Sequence, residues 1–144
     1  MPIIHREQIV PYTVTQMYDL VDDIENYPAF IPWCVSSRVL QRDTDQVSAS
    51  LAFSKGGMQK SFSTKNTLAP PNTIVMSLLE GPFKHLKGVW QFSQLSQDSC
   101  QVVLDLEFEF ANRILSMMFG PVFTHVAQSM VGSFSEQANQ VYAV

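Results

Sequence analysis

Charged side chains are scarce in this chain. Only 15% of its 144 residues are Asp, Glu, Lys or Arg, where an ordinary globular domain carries ~25%. Charge-driven disorder is therefore excluded. Cysteine is nearly absent as well. Cys34 and Cys100 cannot build a disulfide framework or a four-ligand zinc site. Nothing local and cationic lowers the pKa of either, so both are expected to be buried, inert thiols. There are only six glycines, with no phosphate-cradling glycine loop and no GxSxG elbow. His5, His85 and His125 fall in three separate segments without metal-ligand spacing, which assigns them structural roles. No apolar run reaches the roughly 18 residues of a membrane span. The opening Met1-Pro2-Ile3-Ile4-His5-Arg6-Glu7 lacks the basic-then-apolar order of a secretory signal. Net charge is −4 and the isoelectric point near 5.2, which argues against a basic nucleic-acid binder and against DNA as a partner. The expectation is a soluble, cytoplasmic protein with one domain over residues 1–144, long enough to bury roughly 70% of its unfolded surface.

Apolar residues, by contrast, make up 46% of the chain and are patterned. Ile3 to Val10 reads as an extended segment closed by Pro11. Thr13-Val14-Thr15-Gln16 fits a capping box, with Tyr12 and Met17 at the staple positions, and Val14, Met17, Leu20, Val21 and Ile24 follow at helical spacing. Asp22-Asp23 opposes the helix dipole and marks its end. Tyr27 to Pro32 holds one more helical turn between two prolines. From Val35 to Phe110 the period changes to two. Val47, Ala49, Leu51 and Phe53 alternate; so do Ile74, Met76 and Leu78, then Leu86, Gly88, Trp90 and Phe92, then Val102 to Phe110. Lys55-Gly56-Gly57-Met58 supplies a hairpin, and Pro70-Pro71-Asn72 and Gly81-Pro82 supply turns. Regularly spaced strands with short connections predict an antiparallel meander with one wet face and one covered face.

The cover is the segment from Asn112 to Tyr142, whose only charged residues are Arg113 and Glu136. Leu115, Met118, Phe119, Val122, Phe123, Val126, Met130, Phe134 and Val141 gather on one broad stripe. Thr124, His125, Gln128, Ser135, Glu136 and Asn139 take the other side. Pro121 is expected to break or kink this helix. The order predicts an α+β fold, a twisted antiparallel sheet wrapped around one long C-terminal helix, with two short helices after the first strand. Space between a bent sheet and its helix is where a ligand would go.

Two features point to function. Between Phe53 and Trp90 stand Lys55, Lys60, Lys65, Lys84 and Lys87 against Glu80 alone, a local charge of +4 in a chain whose remainder carries −8. Such lysines present a basic edge to phosphates of RNA or of lipid headgroups, or are simply solvated. The other feature is the apolar excess, with ten Phe, seven Met and two Trp. Most must be core, yet Met117, Met118 and Met130 on the closing helix are flexible fillers suited to a changeable occupant. Asp105, Glu107 and Glu109 alternate away from Leu106 and Phe108, so they are expected on the solvated face rather than in acid–base chemistry. An enzyme of cyclase type would need polar groups converging inside the cavity, and few candidates exist.

Several stretches resemble a known family. They are Val10-Pro11-Tyr12, Met17-Tyr18-Asp19-Leu20-Val21, Tyr27-Pro28-Ala29-Phe30-Ile31-Pro32-Trp33-Cys34, Ser37-Arg38-Val39-Leu40, Gly81-Pro82-Phe83 and Phe108-Glu109-Phe110. With these the chain resembles the bacterial RatA and mitochondrial coenzyme Q-binding proteins of the START-like, polyketide cyclase-like superfamily. The resemblance covers essentially the whole chain and implies a helix-grip fold with no catalytic residues to carry over. It implies either of two activities. One is binding of ubiquinone or a similar isoprenoid lipid, as a ligand rather than a redox cofactor, in support of respiration, with transient contact at the inner membrane. The other is a toxin that binds the large ribosomal subunit and blocks subunit joining. Strand parity and the helical stripe nominate Phe30, Trp33, Phe62, Trp90, Phe92, Phe108, Phe110, Met118, Phe119, Val122, Val126 and Met130 as the cavity wall. The five lysines are the nominated contacts for RNA or headgroups.

Overall fold

The computed structural model describes residues 3–143. Strands β1 (Ile3–Val10), β2 (Cys34–Arg42), β3 (Gln46–Lys55), β4 (Met58–Ala69), β5 (Thr73–Glu80), β6 (Phe83–Ser96) and β7 (Ser99–Phe110) form one antiparallel sheet. Their order is β1-β7-β6-β5-β4-β3-β2. Six of the seven follow one another as the expected meander, and β1 closes on β7. The chain must cross from one sheet edge to the other between β1 and β2. It does so through α1 (Val14–Asp22) and a 3-10 turn (Ile24–Ala29).

Local chemistry accounts for these boundaries. Thr13 caps α1 and Gln16 reaches back to the Thr13 backbone, so the capping box forms. Gly56 and Gly57 take φ of +59° and +82°, the pair of positive values a two-residue hairpin requires. The apolar parity of β7 is complete, with Val102, Leu104, Leu106, Phe108 and Phe110 all buried.

The long helix α2 (Arg113–Tyr142) crosses the concave face. It is long and apolar enough to cross a membrane by length and composition, but its Phe119, Val122, Phe123, Val126, Val131 and Phe134 are packed into the core. This is the helix-grip arrangement. Three expectations for α2 need correction. The helix runs unbroken through Pro121; that residue and Met117, whose carbonyl loses a partner, both face solvent, where water can satisfy the carbonyl. Met118 and Val141 are not on the core stripe but 58% and 52% exposed, Met118 on the face turned away from buried Phe119 and Val141 in the last turn of the helix. Ser135, expected on the wet side, is buried and donates its hydroxyl to the Val131 carbonyl at 2.9 Å.

Candidate functional site

α2 packs on β1, β7 and α1 and stands farther from β3, β4 and β5. The divergence leaves a cavity of about 60 Å³ in the middle of the fold. Its walls come from every layer: Ile24 and Tyr27 of the 3-10 turn, Ala49, Leu51 and Phe53 of β3, and Phe62, Thr64 and Asn66 of β4. Met76, Leu86, Trp90, Leu104 and Leu106 complete the sheet side, and Phe123, Val126, Ala127 and Met130 the helix side. Register explains the grouping. Leu51 lies opposite Phe62 and Ala49 opposite Thr64, while Trp90 lies opposite Leu104 and Gly88 opposite Leu106. Gly88 is small for a reason: a Cβ there would stand 2.5 Å from the Met76 side chain and 3.0 Å from that of Leu106.

Two aromatic clusters brace the ends. Phe83, Phe108, Phe110, Phe119 and Phe123 meet at one end, with centroid separations from 4.8 to 6.3 Å. Tyr27, Phe30, Trp90 and Phe134 meet at the other, and Trp90 stacks on Phe92. Edge-to-face pairs of this kind add ~0.5–1.5 kcal/mol each beyond area burial.

Of the twelve nominated wall residues, Phe62, Trp90, Val126 and Met130 line the cavity. Phe108, Phe110 and Phe119 belong to one end cluster, and Phe30 and Phe92 to the other. Val122 is buried without reaching the space, and Met118 faces solvent on the side of α2 turned away from buried Phe119. Trp33 is outside altogether. It adopts φ +60° and lays its ring 4.8 Å from that of His125, with Lys55 Nζ 4.1 Å from the ring centre.

The polar contribution comes from two residues that alternation alone did not mark. Thr64 and Asn66 are buried cavity residues on the concave side of β4. Thr64 Oγ1 donates to Asn66 Oδ1 at 3.0 Å. The Asn66 carbonyl is thereby occupied, and its amide N–H groups have no acceptor among the described residues. The amide nitrogen is accessible from the cavity that Asn66 lines, where an acceptor could reach it.

The other chemistry-bearing groups lie elsewhere. Asp105 pairs with His5 at 2.5 Å and Glu107 with His85 at 3.3 Å on the convex face, and Glu109 pairs with Lys84 at 3.8 Å at the end of β7. The hydrogen bonds from Asp105 and then Glu7 raise the His5 pKa, so this exposed pairing is present at lower pH and is lost as pH rises through that value. The lysines divide by parity. Lys65 and Lys87 face outward across Ser77, Lys55 and Lys60 share the concave parity of Phe53 at the rim, and Lys84, at the register irregularity between Phe83 and His85, lines a cleft between β7 and α2. Among the described residues no three His, Cys, Asp or Glu side chains converge as a metal site.

Burial pushes the Cys34 thiol up to about 11 and raises that of Cys100. Thiols so far above neutrality are almost wholly protonated at pH 8. Native protein treated with iodoacetamide at pH 8 is expected to remain unmodified in an intact-mass measurement over an hour, and to take two labels in denaturant. Rapid native labelling of either cysteine would contradict the burial.

Residues 10–135 match the family described as polyketide cyclase / dehydrase and lipid transport. The chain belongs to that family. It is 43% identical over 143 residues to the ribosome association toxin RatA of Escherichia coli K12, covering 99% of this chain and 90% of that one. It is 30% identical over 139 residues to the mitochondrial coenzyme Q-binding protein COQ10 homolog B of Xenopus laevis, covering 94% of this chain and 57% of that one. Among solved structures, the Zhui aromatase/cyclase from Streptomyces sp. R1128 superposes with a TM-score of 0.84 at 17% identity, covering 99% and 96% of the two chains, which shows the shared fold.

Proposed function

We propose that this member of the family is a non-enzymatic lipid carrier that encloses the ring of ubiquinone, or of a similar isoprenoid lipid, between sheet and α2, in support of respiratory electron transport. The observation that carries the reading is the apolar cavity with one polar pair inside it. A quinone ring is flat and apolar except for carbonyl oxygens that only accept hydrogen bonds, and the Asn66 amide is a donor on the cavity wall with no acceptor among the described residues. One pair of that kind orients a ring without supplying a proton relay, a nucleophile or a metal. The likeness to a coenzyme Q-binding protein supports the same ligand class.

The cavity as it stands has the volume of about two waters, whereas ligand pockets run to roughly 300–1,000 Å³. The occupied state therefore requires Met76 and Met130 to change rotamer and α2 to move off β3–β5. Unbranched methionines make that inexpensive, and the space already opens on the side where the helix stands away.

Organic extraction and mass spectrometry of detergent-free protein from its native host test the reading, with near-stoichiometric quinone expected. An extract without any quinone or isoprenoid lipid would sink it. Asn66→Leu is expected to weaken ubiquinone binding about tenfold, the loss of one buried hydrogen bond. Binding of an isoprenoid hydrocarbon without carbonyls should be unchanged or tighter. Equal losses for both ligands would remove Asn66 from the ring site.

The second reading is a translation inhibitor acting on the large ribosomal subunit, favoured by the likeness to a ribosome association toxin. Lys55, Lys60, Lys65, Lys84 and Lys87 would carry it through phosphate contacts that weaken steeply with salt. Co-sedimentation with large subunits at low salt, lost on changing Lys65 and Lys87 to Glu, is its signature.

A further inference from the structure

The N-terminal third of α2 carries a second apolar stripe that the core does not use. Ile114, Met117 and Met118 are 68%, 72% and 58% exposed, and exposed Pro121 continues their spacing of three, one and three residues. That spacing places all four on one side of the helix, opposite the buried Phe119 and Phe123, with buried Val122 at the edge of the stripe beside Met118. Isolated exposed apolar residues need no explanation, but four on one helical face make a contiguous patch.

The surroundings specify what covers it. On one flank is an open cleft of about 430 Å³ between the end of β7 and α2, whose rim includes Lys84 and Arg113, with Glu109 paired to Lys84. On the other flank His125 leads to Trp33, and Lys55 lies over that indole. α2 holds no acidic residue before Glu136. The strand ends on this side and the first residue of α2 carry Lys55, Lys60, Lys84 and Arg113 against Glu80 and Glu109, a surplus of cations in a chain of net charge −4. An apolar helix face with cations on both sides and a half-exposed tryptophan at its edge matches the physical chemistry of a bilayer interface. Acyl chains take the apolar residues, headgroup phosphates the cations, and the boundary the amphipathic ring.

We infer that this end of the molecule docks on an anionic lipid surface through Ile114, Met117 and Met118, with Lys84, Arg113 and Lys55 on headgroup phosphates and Trp33 at the boundary. This placement rests on surface residues alone and stands whether or not the cavity holds a quinone. It also turns the first turns of α2, the element that must move to enlarge the cavity, toward the lipid.

The test is co-sedimentation with vesicles of one part phosphatidylglycerol to three parts phosphatidylcholine, compared with pure phosphatidylcholine. Binding is expected to the anionic vesicles, weakening as salt rises from 50 to 300 mM, and to fall at least tenfold for Ile114→Glu/Met117→Glu. These side chains touch solvent, so circular dichroism and melting should match the parent. As a measurement on the unmutated chain, brominated lipid in the same vesicles should quench tryptophan fluorescence, and Trp33→Phe should abolish the quenching while buried Trp90 remains. Three outcomes overturn the inference: no binding to anionic vesicles, binding unaffected by the double substitution, or a stripe that the double variant shows to serve only a second copy of this chain or a ribosomal subunit.

Discussion

Replacing Ala49 by valine is expected to raise the melting temperature by ~3–6 °C and, in the same protein, to weaken quinone binding about tenfold. Ala49 is a buried cavity residue on β3, opposite Thr64. Two added methyl-sized groups enter space that is empty, so they gain ~0.8 kcal/mol each without displacing a neighbour. Valine also suits a pleated strand better than alanine. A gain of ~1–2 kcal/mol moves the midpoint by ~2–4 °C per kcal/mol in a protein of this size. The ligand then meets a free state more stable by that amount, which it must undo before it can occupy the space. Affinity falls by one decade for each ~1.4 kcal/mol. Thermal melting and quantitative extraction on the same preparations check both halves. If stability rises while lipid retention is untouched, the ligand does not use this cavity. If both fall, Ala49 has no free space beside it.

Opposite signs are the informative feature, because most substitutions in a core lower stability and function together. A cavity kept open at a cost in packing is one of the few places where the two separate.

The fold was legible because its signals were local. The Thr13–Gln16 capping box, the paired glycines at 56 and 57, and the alternation from Val102 to Phe110 each depend on a few neighbouring residues. The cavity was only half legible. Parity states which face of a strand a side chain takes, but not how far along the strand the empty space lies. On β7 the residues at 104 and 106 line it, whereas Phe108 and Phe110, of identical parity, pass beyond it into an aromatic cluster. On β6 Leu86 and Trp90 line it, and Phe83 and Phe92 do not. That height is set by register between strands distant in sequence. Thr64 and Asn66 escaped for a related reason, since polar residues at inward positions break the pattern by which inward positions are found. Met118 failed differently: it sits at the edge of a broad apolar stripe, beside buried Val122, and the core takes only the side that carries Phe119 and Phe123.

Gly81→Ala is expected to destabilise the protein by at least ~3 kcal/mol, the largest effect of a single methyl group in this chain. Gly81 has φ +153°, a conformation that L side chains rarely adopt. Forcing one there costs ~1–3 kcal/mol by itself. A Cβ at this position would also stand 2.5 Å from Phe62 Cβ and 3.2 Å from Phe62 Cα. Neither atom can rotate away, because both are fixed by β4, and only a backbone shift relieves the overlap. Phe62 stacks on Phe53 and meets Phe83 and Phe123 edge-on, so the shift would spread into the aromatic cluster and the cavity wall together. Gly132→Ala is the control. It lies in α2 with nothing within 4 Å of the added carbon, and should stabilise by ~0.8–1 kcal/mol through helix propensity. Denaturant unfolding of the two variants should move the midpoints in opposite directions with similar slopes. A Gly81→Ala protein as stable as its parent would mean that the β5–β6 turn can relax away from Phe62, and that the cavity wall at this corner is softer than its packing implies.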